Sequence, residues 1–135
     1  MNNNVKGIVI DPGHGGNDSG ALGNGLKEKD YTLKISRYMA DRFNELGIPV
    51  VLTRDEDITL SPDERVNRVL SAFGNDPNVI VISNHLNAGG GDGAEVIYAL
   101  RNSNELSSKI LSALNDAGQN VRKVYQRRLP SNPSK

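Results

Sequence analysis

The sequence predicts an α/β domain of three layers, αβα, around a mostly parallel, twisted sheet. Three observations predict it. Residues 5–11, 49–54 and 79–83 are short runs rich in Ile and Val, nearly continuous in apolar character, as strands covered on both faces are. Two segments with helical spacing lie between them, so strands and helices alternate. The chain has 135 residues, the size of one domain with a modest core.

The first strand, 5–11, runs straight into a loop, Asp11-Pro12-Gly13-His14-Gly15-Gly16, that stays rich in Gly, Asn and Asp as far as Gly25. Loops this long in compact domains are commonly functional. From Asp30 the pattern turns helical, with Tyr31, Ile35, Tyr38, Met39, Phe43 and Leu46 on one inward stripe. Gly47 suits the position just past the helix end, and Pro49 stops the helix from continuing. Residues 49–54 form the second strand, and Asp55-Glu56-Asp57 reads as a solvated acidic turn.

Ser61-Pro62-Asp63-Glu64 starts the next helix: Ser as N-cap, Pro at N1, Glu at N3 to close a capping box. That helix turns Val66, Val69, Leu70 and Phe73 inward and ends at Gly74. The third strand is 79–83. A second glycine-rich loop runs from Asn84 to Gly93, and 94–100 is a fourth strand. Asn102 or Ser103 caps a last helix to about Ala117, with Leu106, Ile110, Leu111 and Leu114 inward. Residues 121–129 hold one short strand. Pro130 and Pro133 then end regular structure, so the single domain, 1–135, reads as stopping in mid-fold.

Sixteen basic and sixteen acidic residues cancel, so overall charge points to neither nucleic acid nor membrane. Arg122, Lys123, Arg127, Arg128 and Lys135 cluster in the last fifteen residues without an acid. A solvated charged end is the reading of that tail. There is no cysteine, which excludes disulfides and thiolate metal sites. No segment has the apolar length of a membrane span, and Met1-Asn2-Asn3-Asn4 lacks the charged start of a signal peptide.

His14 and His85 are the only histidines, and each follows the carboxyl end of a strand. Right-handed crossovers put those two ends on one edge of the sheet, where open α/β domains bind ligands. Neutral imidazoles there suit Zn²⁺. Asp11, three residues before His14, is placed to orient a ligating ring from behind. A third ligand would be a carboxylate, and spacing leaves both Glu28 and Asp30 open. Lys27-Glu28-Lys29-Asp30 is, by itself, an ordinary solvated charge cluster. The Asp11–Gly16 loop has neither the G-x-G-x-x-G pattern nor the lysine of a phosphate loop, which excludes nucleotide binding of that kind. Glu95 reads as a solvent-facing strand residue.

Six segments taken in order are specific: 10–16, 25–33, Thr53-Arg54, Ser61 to Arg65, Ser83-Asn84-His85-Leu86-Asn87, and Gly93-Ala94-Glu95. In order and spacing they closely resemble the zinc-dependent N-acetylmuramoyl-L-alanine amidases of the amidase-3 family. The likeness runs from about residue 5 to 128. It implies a three-layer α/β domain, with His14, Glu28 and His85 as ligands of Zn²⁺. The implied reaction is hydrolysis of the amide between N-acetylmuramic acid and the L-alanine of the peptidoglycan stem peptide.

The family also carries a catalytic glutamate on a final strand. That strand is absent here, so the general base is expected beyond residue 135. Loss of such a base costs ~10²–10⁴-fold in rate. The alternative reading is therefore a catalytically impaired, zinc-containing wall-binding module, and a third is an unrelated metal hydrolase of similar sheet design. The resemblance places the protein outside the cell or in the wall, as a phage-type lysin or a domain excised from a larger protein.

Overall fold

The computed structural model describes residues 4–89, 91–128 and 130–131. The expectations for the chain start, Gly90, Leu129 and 132–135 lie outside the described residues. By its contacts the chain divides into two compact units, Met1–Ala88 and Gly89–Lys135.

The first unit runs β1 (Gly7–Pro12), β2 (Leu22–Gly23), β3 (Leu26–Lys27), α1 (Glu28–Glu45), β4 (Val50–Leu52), α2 (Pro62–Phe73) and β5 (Val79–Asn84). Its sheet has the order β4-β1-β5 and is parallel throughout, as the alternating pattern predicts. The chain crosses outward from β1 to β4 and then back over β1 to β5. Right-handed crossovers in opposite directions put α1 and α2 on opposite faces. Strand alternation agrees. Ile8 and Ile10, flanked by Val50, Leu52, Ile80 and Ile82, meet Met39, Ala40 and Phe43 of α1. Gly7, one residue out of phase, lies under the Phe73 ring of α2, where a Cβ would come within 2.5 Å. β1 is buried along its whole length.

Two segments fold differently from the sequence pattern. α1 begins at Glu28, not Asp30, because backbone carbonyls of the preceding loop cap it: Glu28 N–H donates to Ala21 O and Lys29 N–H to Ser19 O. No side-chain cap exists there to be read. The helix is also rotated. Thr32, Leu33, Ser36 and Ala40 are buried, whereas Tyr38 and Leu46 are 68% and 63% exposed and Tyr31 and Ile35 also face water. Only Met39 and Phe43 of the expected stripe pack inward. The inner line starts from Glu28 and Lys29, so polar residues occupy positions that an apolar period assigns elsewhere.

α2 has the expected capping box, Ser61 Oγ accepting from Glu64 N–H and Glu64 from Ser61 N–H, with Pro62 at N1. Its Val69 and Phe73 are half-buried, but Val66 and Leu70 are exposed. α1 ends as Gly47 predicts: Gly47 N–H bonds Asn44 O and Ile48 N–H bonds Phe43 O, with Gly47 at φ 74°.

The second unit is one βαβ: β6 (Ala94–Ile97), α3 (Glu105–Asp116) and β7 (Val121–Tyr125), with β6 and β7 parallel. β6 is shorter than the expected 94–100. Asn104, not Asn102 or Ser103, stands at the start of α3, and makes no side-chain cap. Ile110, Leu111 and Leu114 are half-buried as expected, while Leu106 is exposed. Glu95 accepts from the Tyr125 hydroxyl at 3.1 Å and lies 3.4 Å from Arg122 Nε, so it is a held residue and not a free solvent-facing one.

Candidate metal centre

β1 and β5 end in register, Pro12 opposite Asn84. The histidines just beyond therefore emerge side by side, with ring centroids 5.0 Å apart and planes at 85°. Glu28, the first residue of α1, points back between them. His14 Nε2 is 3.1 Å and His85 Nδ1 3.3 Å from the same oxygen, Glu28 Oε1. One donor atom from each of the three lies within 4.8 Å of the others. Asp30 is exposed and takes no part in the cluster, so of the two carboxylates that spacing left open only Glu28 reaches it.

Glu28 is 5% exposed. Its carboxylate is held by two backbone donors, Ala21 N–H on Oε2 and Leu86 N–H on Oε1, each at 2.8 Å. Burial pushes its pKa up, but these two N–H groups and the two imidazoles outweigh burial and leave it below the ordinary 4.5. The site therefore presents a carboxylate anion at neutral pH.

His14 stands between two carboxylates. Its Nδ1 is 2.8 Å from Asp18 Oδ2 while its Nε2 faces Glu28. A neutral ring has one N–H for these two acceptors. With the proton on the Asp18 side, the bare Nε2 lone pair meets an anionic oxygen, an arrangement that a cation between them relieves. The Asp18 carboxyl is held below the usual range, chiefly by this bond to His14 and next by the Gly20 N–H. Such a carboxylate–histidine pair fixes the tautomer of a ligating ring.

This role was expected of Asp11, and the structure corrects it. The Asp11 carboxylate accepts from Thr53 Oγ1 (2.7 Å), Ser83 Oγ (2.7 Å) and Arg65 Nη1 (2.6 Å), and touches neither histidine. It lies on the face of the sheet that α2 covers, where it anchors Arg65 of that helix. Arg65 in turn donates to Pro12 O and His14 O. Arg54, 1% exposed, donates to Pro12 O, Gly13 O, Lys29 O and Glu56 O. The loop carrying His14 and the helix start carrying Glu28 thus share one buried guanidinium. Among the described residues no buried side-chain polar atom lacks a partner.

The loop needs this support. His14 adopts φ 62°, a left-handed conformation costing a non-glycine residue ~1–3 kcal/mol. Glycines stand where side chains would collide: a Cβ at Gly13 would meet the His85 ring at 2.5 Å, and one at Gly20 would meet the His14 ring at 2.6 Å and the Glu28 carboxylate at 2.7 Å. Between Gly20 and Glu28 the chain makes a hairpin, β2–β3, turned by Asn24 (φ 51°) and Gly25 (φ 74°). Asn-Gly is the sequence signal of that turn and could have been read in the glycine-rich stretch.

A family model described as Amidase_3, N-acetylmuramoyl-L-alanine amidase, matches residues 8–131. The chain belongs to this amidase family. It is 41% identical over 115 residues to the uncharacterized protein YqiI of Bacillus subtilis, covering 81% of this chain and 54% of that one. It is 42% identical over 94 residues to the N-acetylmuramoyl-L-alanine amidase LytC of B. subtilis, covering 67% of this chain and 18% of LytC. Among solved structures, the catalytic domain of the amidase CwlV from Bacillus (Paenibacillus) polymyxa var. colistinus superposes with a TM-score of 0.80 at 27% identity, covering 92% of this chain and 71% of that one. The chain thus spans about half the length of YqiI and less of LytC. No helix among the described residues is long and apolar enough to cross a membrane.

Proposed function

We propose that the chain is the metal-binding part of a zinc-dependent peptidoglycan hydrolase, cleaving the amide between N-acetylmuramic acid and the L-alanine of the stem peptide. The observation that carries this is the convergence of His14, Glu28 and His85. Two imidazole nitrogens and a carboxylate oxygen are a common donor set of catalytic zinc. Zinc bonds of ~2.0–2.1 Å imply donor–donor edges of roughly 3.3 Å in a tetrahedron, and the pairs here are 3.1 and 3.3 Å. The third edge, between the two imidazoles, lies within 4.8 Å, so the chemistry of the donor set and two of its three edges suit the ion.

In this reading Glu28 supplies the negative charge, held ionised and fixed by the Ala21 and Leu86 amides. Asp18 keeps the His14 proton on Nδ1 and so turns the Nε2 lone pair toward the ion. The partial exposure of both rings, 25% for His14 and 47% for His85, leaves the centre open to a substrate carbonyl and to water. When bound, Zn²⁺ supplies Lewis-acid chemistry, polarising a carbonyl and making water nucleophilic at neutral pH. Glu95, engaged by Tyr125 and Arg122, is not assigned the general base. The family match spans both compact units, which supports reading 1–135 as a single amidase-like catalytic domain, incomplete at its C-terminal end.

The test has two parts. Metal analysis is expected to find about one Zn²⁺ per chain, lost in His14→Ala, Glu28→Ala and His85→Ala. Incubation with purified cell walls is expected to release L-alanine amino groups. Zinc with wall binding but no amino-group release would select the impaired wall-binding module instead. A chain that takes up no zinc would defeat the proposal.

A further inference from the structure

The turn after β4 is the exposed acidic turn that the sequence presents, yet Asp57 on it, its side chain 53% exposed, is bonded to the segments that carry His14 and Glu28. Asp57 lies on it, about thirty residues from either neighbouring ligand in the chain. Its Oδ1 accepts from Gly16 N–H at 2.7 Å and its Oδ2 from Lys29 Nζ at 2.7 Å. Lys29 Nζ also donates to Gly16 O at 2.9 Å, which closes a three-cornered node. Thr59 Oγ1, two residues on, accepts from Asn17 N–H at 2.8 Å. The two glycines let the segments approach closely: a Cβ at Gly16 would lie 2.3 Å from Thr59 Oγ1, and one at Gly15 2.3 Å from Ile58 O.

The corners of this node are the neighbours of two ligands. Lys29 follows Glu28. Gly16 belongs to the turn that bears His14: Gly15 and Asp18 exchange backbone hydrogen bonds of 2.9 and 3.1 Å, and Asp18 holds the His14 ring. Lys29 is 9% exposed, so its charge has left water for this one carboxylate and a carbonyl. A strained His14 backbone holds its shape only where surrounding bonds over-determine it.

We infer that Asp57, with Lys29, is a positioning residue that sets the separation between the His14 loop and the Glu28 helix start, and so tunes metal affinity without touching the metal. This rests on the metal reading of His14, Glu28 and His85. It assigns to the turn after β4 a part in the centre that none of the three ligands reveals.

The experiment uses the whole chain with Zn²⁺ measured by chelator competition and Co²⁺ by its visible absorption, which reports ligand geometry. Asp57→Ala is expected to weaken Zn²⁺ binding measurably, by less than the roughly 10–100-fold of losing a direct outer partner of a metal ligand, since Asp57 acts through Gly16 and Lys29. The Co²⁺ spectrum is expected to shift while the far-ultraviolet circular dichroism stays native. Ser61→Ala removes the cap of α2 at the end of the same turn; it is expected to lower stability and leave both metal readouts unchanged. Lys29→Met, made alongside and decisive if Asp57→Ala does not fold, is expected to reproduce the loss. Wild-type affinity and spectrum in a folded Asp57→Ala or Lys29→Met chain would overturn the inference. So would equal losses in Asp57→Ala and Ser61→Ala, which would reduce the latch to general stability. A wild-type chain that takes up neither ion would instead defeat the metal reading itself.

Discussion

Replacing Gly13 with alanine puts a methyl group against the His85 ring and so tests the geometry of the centre directly. Gly13 has no left-handed φ, so alanine is free of backbone strain there. The added Cβ would stand 2.5 Å from His85 Cε1, 2.6 Å from Nδ1 and 2.8 Å from Asn84 O. The Asn84 carbonyl is tied by Gly13 N–H at 2.9 Å in the β1–β5 ladder, so the ring moves most and the end of the strand must give as well. Ordinary contact begins at 3.4 Å, which requires a retreat of about 0.9 Å. Metal–ligand distances tolerate roughly ±0.2 Å. The displacement is several times larger, and His85 is lost as a ligand. Zinc affinity is therefore expected to fall by more than the ~10–100-fold of an outer-partner loss, at a stability cost of ~1–3 kcal/mol for overpacking. Chelator competition and urea unfolding measure the two. Gly47→Ala is the matched comparison: nothing lies within 4 Å, but φ is 74°, so it costs ~1–2 kcal/mol and leaves zinc binding alone. Zinc affinity retained in Gly13→Ala would refute the placement of His85.

Asp18→Asn removes the charged partner of His14 Nδ1 on an exposed side chain; zinc binding is expected to weaken ~10–100-fold while the urea midpoint falls only slightly. Asp11→Ala leaves the Arg65 guanidinium without its carboxylate and Thr53 and Ser83 without their acceptor; since Arg65 is partly solvated, the loss is expected near the lower end of ~3–5 kcal/mol, read from the denaturant midpoint at constant m-value. Acid should destabilise the metal-free chain. Asp57, held low chiefly by Lys29, Glu64, held low chiefly by the Ser61 N–H, and Glu28 all titrate below their ordinary values of 3.8 and 4.5. A depressed native pKa contributes stability above the unfolded value and loses it as pH falls through the native one. Urea midpoints measured from pH 7 downward are expected to stay level until about pH 4.5 and then decline; a flat profile to pH 3 would contradict this.

β1 was legible because its centre, Ile8-Val9-Ile10, is an unbroken run of β-branched residues buried on both faces. The α2 start was legible because its cap uses side chains of known preference. Glu28 was not separable from Asp30 by spacing, since the backbone of Ser19 and Ala21, which sets where α1 begins, leaves no mark in the sequence. The same absence displaced the helical stripe. Lys29 and Asp57 were hidden for a further reason: a lysine and an aspartate read as solvated unless their partners are known, and these partners are 28 residues apart. Asp11 was misassigned because sequence adjacency to His14 says nothing about which side of the strand a side chain faces; Asp18, one turn on, is the residue that reaches the ring.

The β2–β3 hairpin has a consequence for how such domains diversify. Its base is pinned, because Ala21 caps and bonds Glu28, while Gly23 and Gly25 at its tip have nothing within 4 Å and Leu22 and Leu26 face outward. Extra residues inserted at Asn24 would lengthen the rim of the site without moving a ligand, since exposed loop tips absorb insertions readily. On the proposed hydrolase reading, substrate preference would be rewritten at that brim while the floor formed by His14, Glu28 and His85 stays as it is.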